Sequence, residues 1–389
     1  MLKIRVAAAR HLPVRAACVA LLLLAGIAVW PPDAAVASDA AADAQAPAAE
    51  TGAERLRRLY SGPPEGWPAP HVDPAVDYLE LAARDLPPWP APDSREGRRR
   101  ALGERLFEDP ALSRSGQISC QSCHNRQLGW GDGVQRSFGH DRAEGPRNAP
   151  ALFAAGARDT LFWDGRAATL EEQALGPLLN PVEMANHDLS DVPARLAARG
   201  EYVRLFAEAY GPGPIGIDQV ADALATFQRH LGRTTRLDRF LQGDSRALDD
   251  EEIEGLHLFR TKARCANCHF GPLLTDEKFH NLGLTYFNRR FEDLGRYGVT
   301  GRPEDAGRFR TPSLRHVART APFMHNGLFP HLRGLVNLYA AGGGDMRARS
   351  PEEADMPLYR HAIAKSPQLK PLELSERERR ALVAFLEAL

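Results

Sequence analysis

Apolar residues along this chain recur mostly at helical spacing. Leu102, Leu106 and Phe107 share one helical face and the pattern stops at Asp109-Pro110, so a helix is expected to end there. The spacing resumes over Leu170–Leu175, after Ser190 and Pro193, and across Val220, Leu224, Phe227 and Leu231. A further stripe, Ile253, Leu256 and Phe259, starts shortly after Leu248. Near the C-terminus Ser375 and Glu378 make a capping box ahead of Leu382, Phe385 and Leu386. No strand-rich stretch appears, and the expected fold class is mostly α.

Other stretches lack periodicity. Residues 38–53, rich in Ala and Asp, read as a flexible leader. Prolines crowd the segment from Pro63 to Pro92, including Pro87-Pro88-Trp89-Pro90, so 38–92 is expected to be a flexible and Pro-rich N-terminal arm that wraps irregularly. Residues 125–150, rich in Gly, Arg and Pro, predict a long ordered loop, which a compact domain keeps only for a purpose.

The 389 residues leave room for two domains. With 49 basic against 50 acidic residues, nothing in the charge balance suggests a nucleic-acid partner. Lys3, Arg5, Arg10 and Arg15 precede an apolar run from Ala16 to Trp30, and Ala35-Val36-Ala37 offers a cleavage site before Ser38. Residues 1–37 therefore read as a secretory signal peptide, with an uncleaved anchor as the other reading. Cys18 would leave with it.

The remaining four of five cysteines fall in two copies of one pattern, Cys120-Gln121-Ser122-Cys123-His124 and Cys265-Ala266-Asn267-Cys268-His269. Two thiols spaced this way can form thioethers with haem vinyl groups, while the adjacent imidazole ligates iron. A zinc ribbon would place its cysteine pairs about 15–20 residues apart, far closer than these. A redox Cys-x-x-Cys pair would not explain a histidine directly after both copies. Two covalently bound c-type haems are the expected cofactors, and with the export signal they imply a bacterial periplasm. Each motif follows a predicted helix, which suggests two similar haem domains, 93–245 and 246–389.

Further segments resemble, in order and spacing, the bacterial di-haem cytochrome c peroxidase family, which includes the MauG-type enzymes. They are Leu102–Pro110, Gly145–Pro150, Phe162-Trp163-Asp164-Gly165-Arg166-Ala167, Gln173–Met184, Thr311–His316 and Ala321–Gly327. The resemblance implies two c-type cytochrome domains with the haems at or near the domain interface. It makes the His124 haem peroxidatic and the His269 haem the electron-transfer centre. Glu183, in Asn180-Pro181-Val182-Glu183-Met184, matches the distal glutamate that moves a proton between the peroxide oxygens. His140, 16 residues after His124, matches a histidine that caps the peroxidatic iron and leaves on reductive activation. Gly139, Gly145 and Pro146 suit a loop that moves. Trp163 resembles the tryptophan between the haems, and His325 a histidine near the same region. Asn148 with the carbonyls of Thr320 and Pro322 matches an interdomain calcium site, and oxygen ligands suit that cation.

One position departs from the ordinary peroxidases. Counted without gaps from His325, the place of the methionine that ligates the second haem holds Tyr339, as in MauG-type members. A phenolate ligand favours the ferric state and lowers the potential. Met346, after Ala341-Gly342-Gly343-Gly344, is the alternative ligand, and Met324 a further one.

The expected function is a periplasmic di-haem peroxidase that reduces hydrogen peroxide with electrons from a cytochrome c or copper protein. Alternatives are a MauG-like enzyme that oxidises Trp or Tyr of a partner protein, and a di-haem electron carrier. A homodimer is compatible with the resemblance.

Overall fold

Helices form where the apolar spacing placed them, and in the computed structural model they make up most of the regular structure. The structure describes residues 50–389. The expected signal peptide, with Cys18, and most of the 38–53 leader lie outside the described residues. The order is α1 (Gly52–Leu59), α2 (Arg95–Glu108), α3 (Cys120–Cys123), α4 (Leu170–Leu179), α5 (Asp191–Ala197), α6 (Gly200–Tyr210) and α7 (Ile217–Arg229). Then come α8 (Arg236–Leu241), α9 (Asp250–Arg260), α10 (Tyr297–Thr300), α11 (Leu332–Ala340), α12 (Pro351–Ala354), α13 (Tyr359–Ala362) and α14 (Glu376–Glu387). Among the described residues, strand is confined to one antiparallel pair, β1 (Phe279–His280) with β2 (Phe309–Arg310). None of the described helices is long and apolar enough to cross a membrane.

A repeat emerges in the packing that helical order alone only suggests. The helix before each haem motif carries Gly-x-x-Leu-Phe: Gly103 to Phe107 in α2 and Gly255 to Phe259 in α9. Each crosses a helix carrying Ala-Leu-x-x-Phe: Ala223 to Phe227 in α7 and Ala381 to Phe385 in α14. A Cβ on Gly103 would sit 1.9 Å from the Ala223 carbonyl oxygen, and one on Gly255 would sit 2.0 Å from that of Ala381. Glycine therefore sets the closeness of both crossings. The phenylalanine pairs that close them match as well: Phe107 and Phe227 have ring centres 5.3 Å apart, Phe259 and Phe385 5.2 Å. Two apolar clusters follow. One holds Leu102 to Leu231; the other holds Leu237 to Leu389 together with Tyr60, Trp67 and Leu81 of the arm.

The arm is less loose than its composition suggests. Thr51 and Glu54 form a capping box that starts α1, a signal present in the sequence and hidden by the Ala-rich leader before it. From Pro63 to Pro92 the chain has almost no regular structure, yet it is fastened to the second cluster. The Arg260 guanidinium donates to the Pro68 carbonyl at 2.7 Å, and the His71 N–H donates to the Arg260 carbonyl at 2.8 Å. Arg315, in a buried ion pair with Asp238 at 2.7 Å, donates to the Ala82 carbonyl at 2.9 Å. Asn267, inside the second haem motif, accepts from the Asp73 N–H and donates to the His71 carbonyl. Prolines leave this arm short of backbone donors, so side chains of the second half supply the bonds.

Adding one methyl at either crossing should act as overpacking. Gly103→Ala and Gly255→Ala should each lower the unfolding free energy of the haem-loaded protein by about 1–3 kcal/mol in denaturant titration. Unchanged midpoints would contradict backbone contact at the crossings.

Candidate functional site

Both motif histidines are held in the same way. The His124 N–H bonds the Cys120 carbonyl at 2.9 Å, and the His269 N–H bonds the Cys265 carbonyl at 2.9 Å. Each short turn thus brings its imidazole beside its two thiols. Beyond the motif the chain reverses through left-handed residues, Gly129 and Trp130 in one copy, Gly271 and Leu274 in the other. The returning carbonyl accepts from the ring: His124 Nδ1 donates to Trp130 O at 3.0 Å, and His269 Nδ1 to Leu274 O at 2.9 Å. This fixes the tautomer in which Nε2 carries the free lone pair. Burial also pushes both imidazoles below the ordinary histidine range, so they stay neutral. Burial raises the Cys265 and Cys268 thiols to about 12, which suits a neutral thioether sulfur better than a thiolate. The donor set fits covalent haem in both halves.

Around the first motif the structure brings together residues far apart in sequence. The Arg114 N–H donates to Met184 O at 3.0 Å, which sets the Glu183 segment against the segment leading into Cys120. The His140 N–H donates to Glu183 O at 2.9 Å. Gly139 allows that approach, because a Cβ there would lie 2.2 Å from Val182 O. The Asn180 amide donates to Glu183 Oε1. Burial raises the Glu183 carboxyl above the usual range, opposed by that bond and by Arg166. His140 has Nε2 2.7 Å from an Arg114 nitrogen, whereas its buried Nδ1 has no hydrogen-bond partner.

The second motif faces a cavity, partly open to solvent, whose lining includes Cys265, Cys268, His269 and Tyr339. Asn148, Thr320 and Pro322 line it too, and Trp163 and Met324 border both this cavity and a smaller one beside it. Trp163 Nε1 donates to the Asn148 carbonyl at 3.0 Å, and its ring lies edge-on to His325 at 6.4 Å. His325 in turn stacks on Phe309 at 3.6 Å; burial lowers its pKa to about 3, and its Nε2 has no partner. The Asn148 amide nitrogen donates to Val134 O at 3.0 Å, which turns its Oδ1 the other way.

Tyr339 and Met346 part company. The Tyr339 ring, in α11, is half-buried and lines the cavity with His269, and desolvation foremost pushes its phenol up. Met346 packs with Phe287 and Tyr359, and its sulfur accepts the Tyr286 N–H at 3.0 Å. Met346 lines neither of the cavities that His269 and Tyr339 share.

Sequence reasoning missed the clamp joining the first-half loop to the second half. Arg147 bridges Asp164 at 2.6 Å and Asp293 at 2.6 Å, and Arg158 pairs with Glu277 at 2.5 Å. No local pattern marks these pairs, since their partners are up to 146 residues away.

Replacing Cys265 and Cys268 together with Ala should leave a protein with one covalent haem, read as an intact mass lower by one haem than the parent. Replacing Cys120 and Cys123 should do the same on the other side. Two retained haems in either variant would contradict the attachment sites.

The family profile described as di-haem cytochrome c peroxidase matches residues 98–246. A cytochrome-c peroxidase, IdrP1, from Pseudomonas sp. strain SCT is 36% identical over 336 residues, which is 78% of this chain and 84% of that one. The methylamine utilization protein MauG of Methylorubrum extorquens is 41% identical over 293 residues, 74% of this chain and 77% of that one. Among solved structures, a MauG-like protein associated with microbial copper homeostasis superposes with a TM-score of 0.67 at 32% identity, covering 80% of this chain and 93% of that one. The chain belongs to the di-haem cytochrome c peroxidase family, and it is an oxidoreductase of the haem-peroxidase kind.

Proposed function

We propose that the protein is an exported di-haem peroxidase with one haem domain in each half and the haems near their junction. It reduces hydrogen peroxide with electrons from a small redox protein. When bound, the haems supply one-electron redox chemistry and the iron at which peroxide is reduced. Cys120, Cys123 and His124 would hold one; Cys265, Cys268 and His269 the other, with Tyr339 as its second protein ligand.

The observation that carries this reading is the half-buried Glu183 set against the segment leading into the first motif, beside His140. A carboxyl raised by burial can take a proton from one peroxide oxygen and return it to the other. Asn180 restrains Oε1, which leaves Oε2 as the moving partner. His140, carried on the Gly139 loop, would gate access from the distal side. Trp163, fixed by its bond to Asn148, would lie on the electron path between the halves. Asn148 with the Thr320 and Pro322 carbonyls would hold a calcium ion and stiffen that junction.

The position of Tyr339 favours a second reading. A phenolate on the second haem suits a MauG-like enzyme that draws electrons from aromatic side chains of a partner protein. A donor assay separates the two: the peroxidase oxidises two molecules of reduced cytochrome c per peroxide, whereas the second reading expects slow donor oxidation and loss of Trp or Tyr in a partner.

Glu183→Gln should lower steady-state peroxide reduction about 10²–10⁴-fold with both haems still attached. A loss below tenfold would contradict the acid–base role.

A further inference from the structure

The Pro-rich arm places three oxidisable rings around Arg260, a residue with no exposed surface at the end of the helix that leads into the second haem motif. Trp67 and Tyr60 have ring centres 5.0 Å apart. The Arg260 guanidinium lies 5.2 Å from the Trp67 ring and 5.7 Å from the Tyr60 ring. Tyr78, the third, has its ring 5.6 Å from Phe270, the residue directly after His269. The cluster therefore reaches from the haem-motif histidine to α1. It also touches the cavity through α9: Phe259 lines that cavity, and His257, two residues earlier, faces the other side of the helix towards Tyr60.

The three rings differ in where a proton can go. Trp67 Nε1 donates to the Gly62 carbonyl, which cannot take a proton. The Tyr78 hydroxyl donates to Glu80 at 2.7 Å, but that carboxylate is already neutralised by Arg260. Tyr60, 1% exposed, has its hydroxyl 2.9 Å from His257 Nδ1. Burial and neighbouring cations lower the His257 pKa, so it is a neutral imidazole with a lone pair to offer. A ring that loses an electron without its proton is left as a radical cation, which a poorly solvated site disfavours. An oxidising equivalent is therefore held only where electron and proton leave together.

We infer that Tyr60 and His257 form a redox-active pair that takes an oxidising equivalent from the second haem and holds it in the arm. In the step, the Tyr60 phenol would give up one electron, the peroxide-oxidised second haem being the oxidant. The O–H bond breaks, and its proton moves to His257 Nδ1, leaving a neutral phenoxyl radical and an imidazolium. One electron from the donor protein and return of the proton restore the pair. When donor is scarce, the pair protects the haems by giving damage a reversible place to rest. The inference rests on the peroxidase reading only in needing a peroxide-oxidised haem.

The test is rapid-freeze EPR of the holoprotein mixed with hydrogen peroxide without donor. A tyrosyl signal is expected in the parent and in Tyr78→Phe, reduced at least fivefold in Tyr60→Phe. Tyr60→Phe should keep steady-state turnover with reduced cytochrome c within twofold, and lose activity several-fold faster in peroxide alone. His257→Phe gives the same reading if Tyr60→Phe does not load haem: its tyrosyl yield should fall at least fivefold for lack of a proton acceptor. A signal of unchanged yield in Tyr60→Phe, or none in a parent whose haem spectra respond to peroxide, would overturn the inference. Haem spectra that do not respond to peroxide would overturn the peroxidase reading as well.

Discussion

Each motif histidine gives its Nδ1 proton to a carbonyl of the turn just beyond it, His124 to Trp130 and His269 to Leu274. That bond decides which nitrogen is free and which way it points. The surrounding structure can be read as what is needed to make it twice. The left-handed turn after the motif must bring the carbonyl back, and a helix must deliver the motif. A close glycine crossing then sets that helix against a partner, Gly103 on Ala223 and Gly255 on Ala381. The second copy has an extra constraint: Asn267 is bonded to the arm on both sides of its amide, so the arm braces the motif itself.

The helices and the motifs were legible in the sequence because their signals are local. Leu102, Leu106 and Phe107 appear in one helix, and the Ser375–Glu378 capping box opens α14 as expected. The glycine repeat was equally present but carries no meaning until two helices are seen to cross. What was not legible depends on distant partners. Arg147 reads as an ordinary loop arginine until Asp164 and Asp293 are found on either side. The arm looked featureless because its order comes from Arg260, Asn267 and Arg315 rather than from its own spacing. Met346 looked mobile after three glycines, yet a backbone N–H and an aromatic cluster occupy it.

The two halves, built on one plan, present different groups beside their motifs, and the proposed function gives them different tasks. Against the segment leading into the first motif lie a raised carboxyl and a histidine on a glycine-entered loop, groups suited to proton transfer and access. In the cavity with His269 lie a half-buried phenol and aromatic rings, groups suited to electron transfer. Trp163 and Asn148, joined by one hydrogen bond, line the cavity that the second motif faces. Under the proposed function the first half would carry the peroxide chemistry, and the second half would select the source of electrons.

The most direct measurement is the optical and EPR spectrum of the pure holoprotein, fully oxidised and then reduced by one electron. The account predicts a low-spin second haem with a phenolate charge-transfer band and no methionine–iron band, and a first haem that turns high-spin when the second is reduced. A methionine–iron band in the oxidised protein, or a first haem unchanged by that electron, would contradict it.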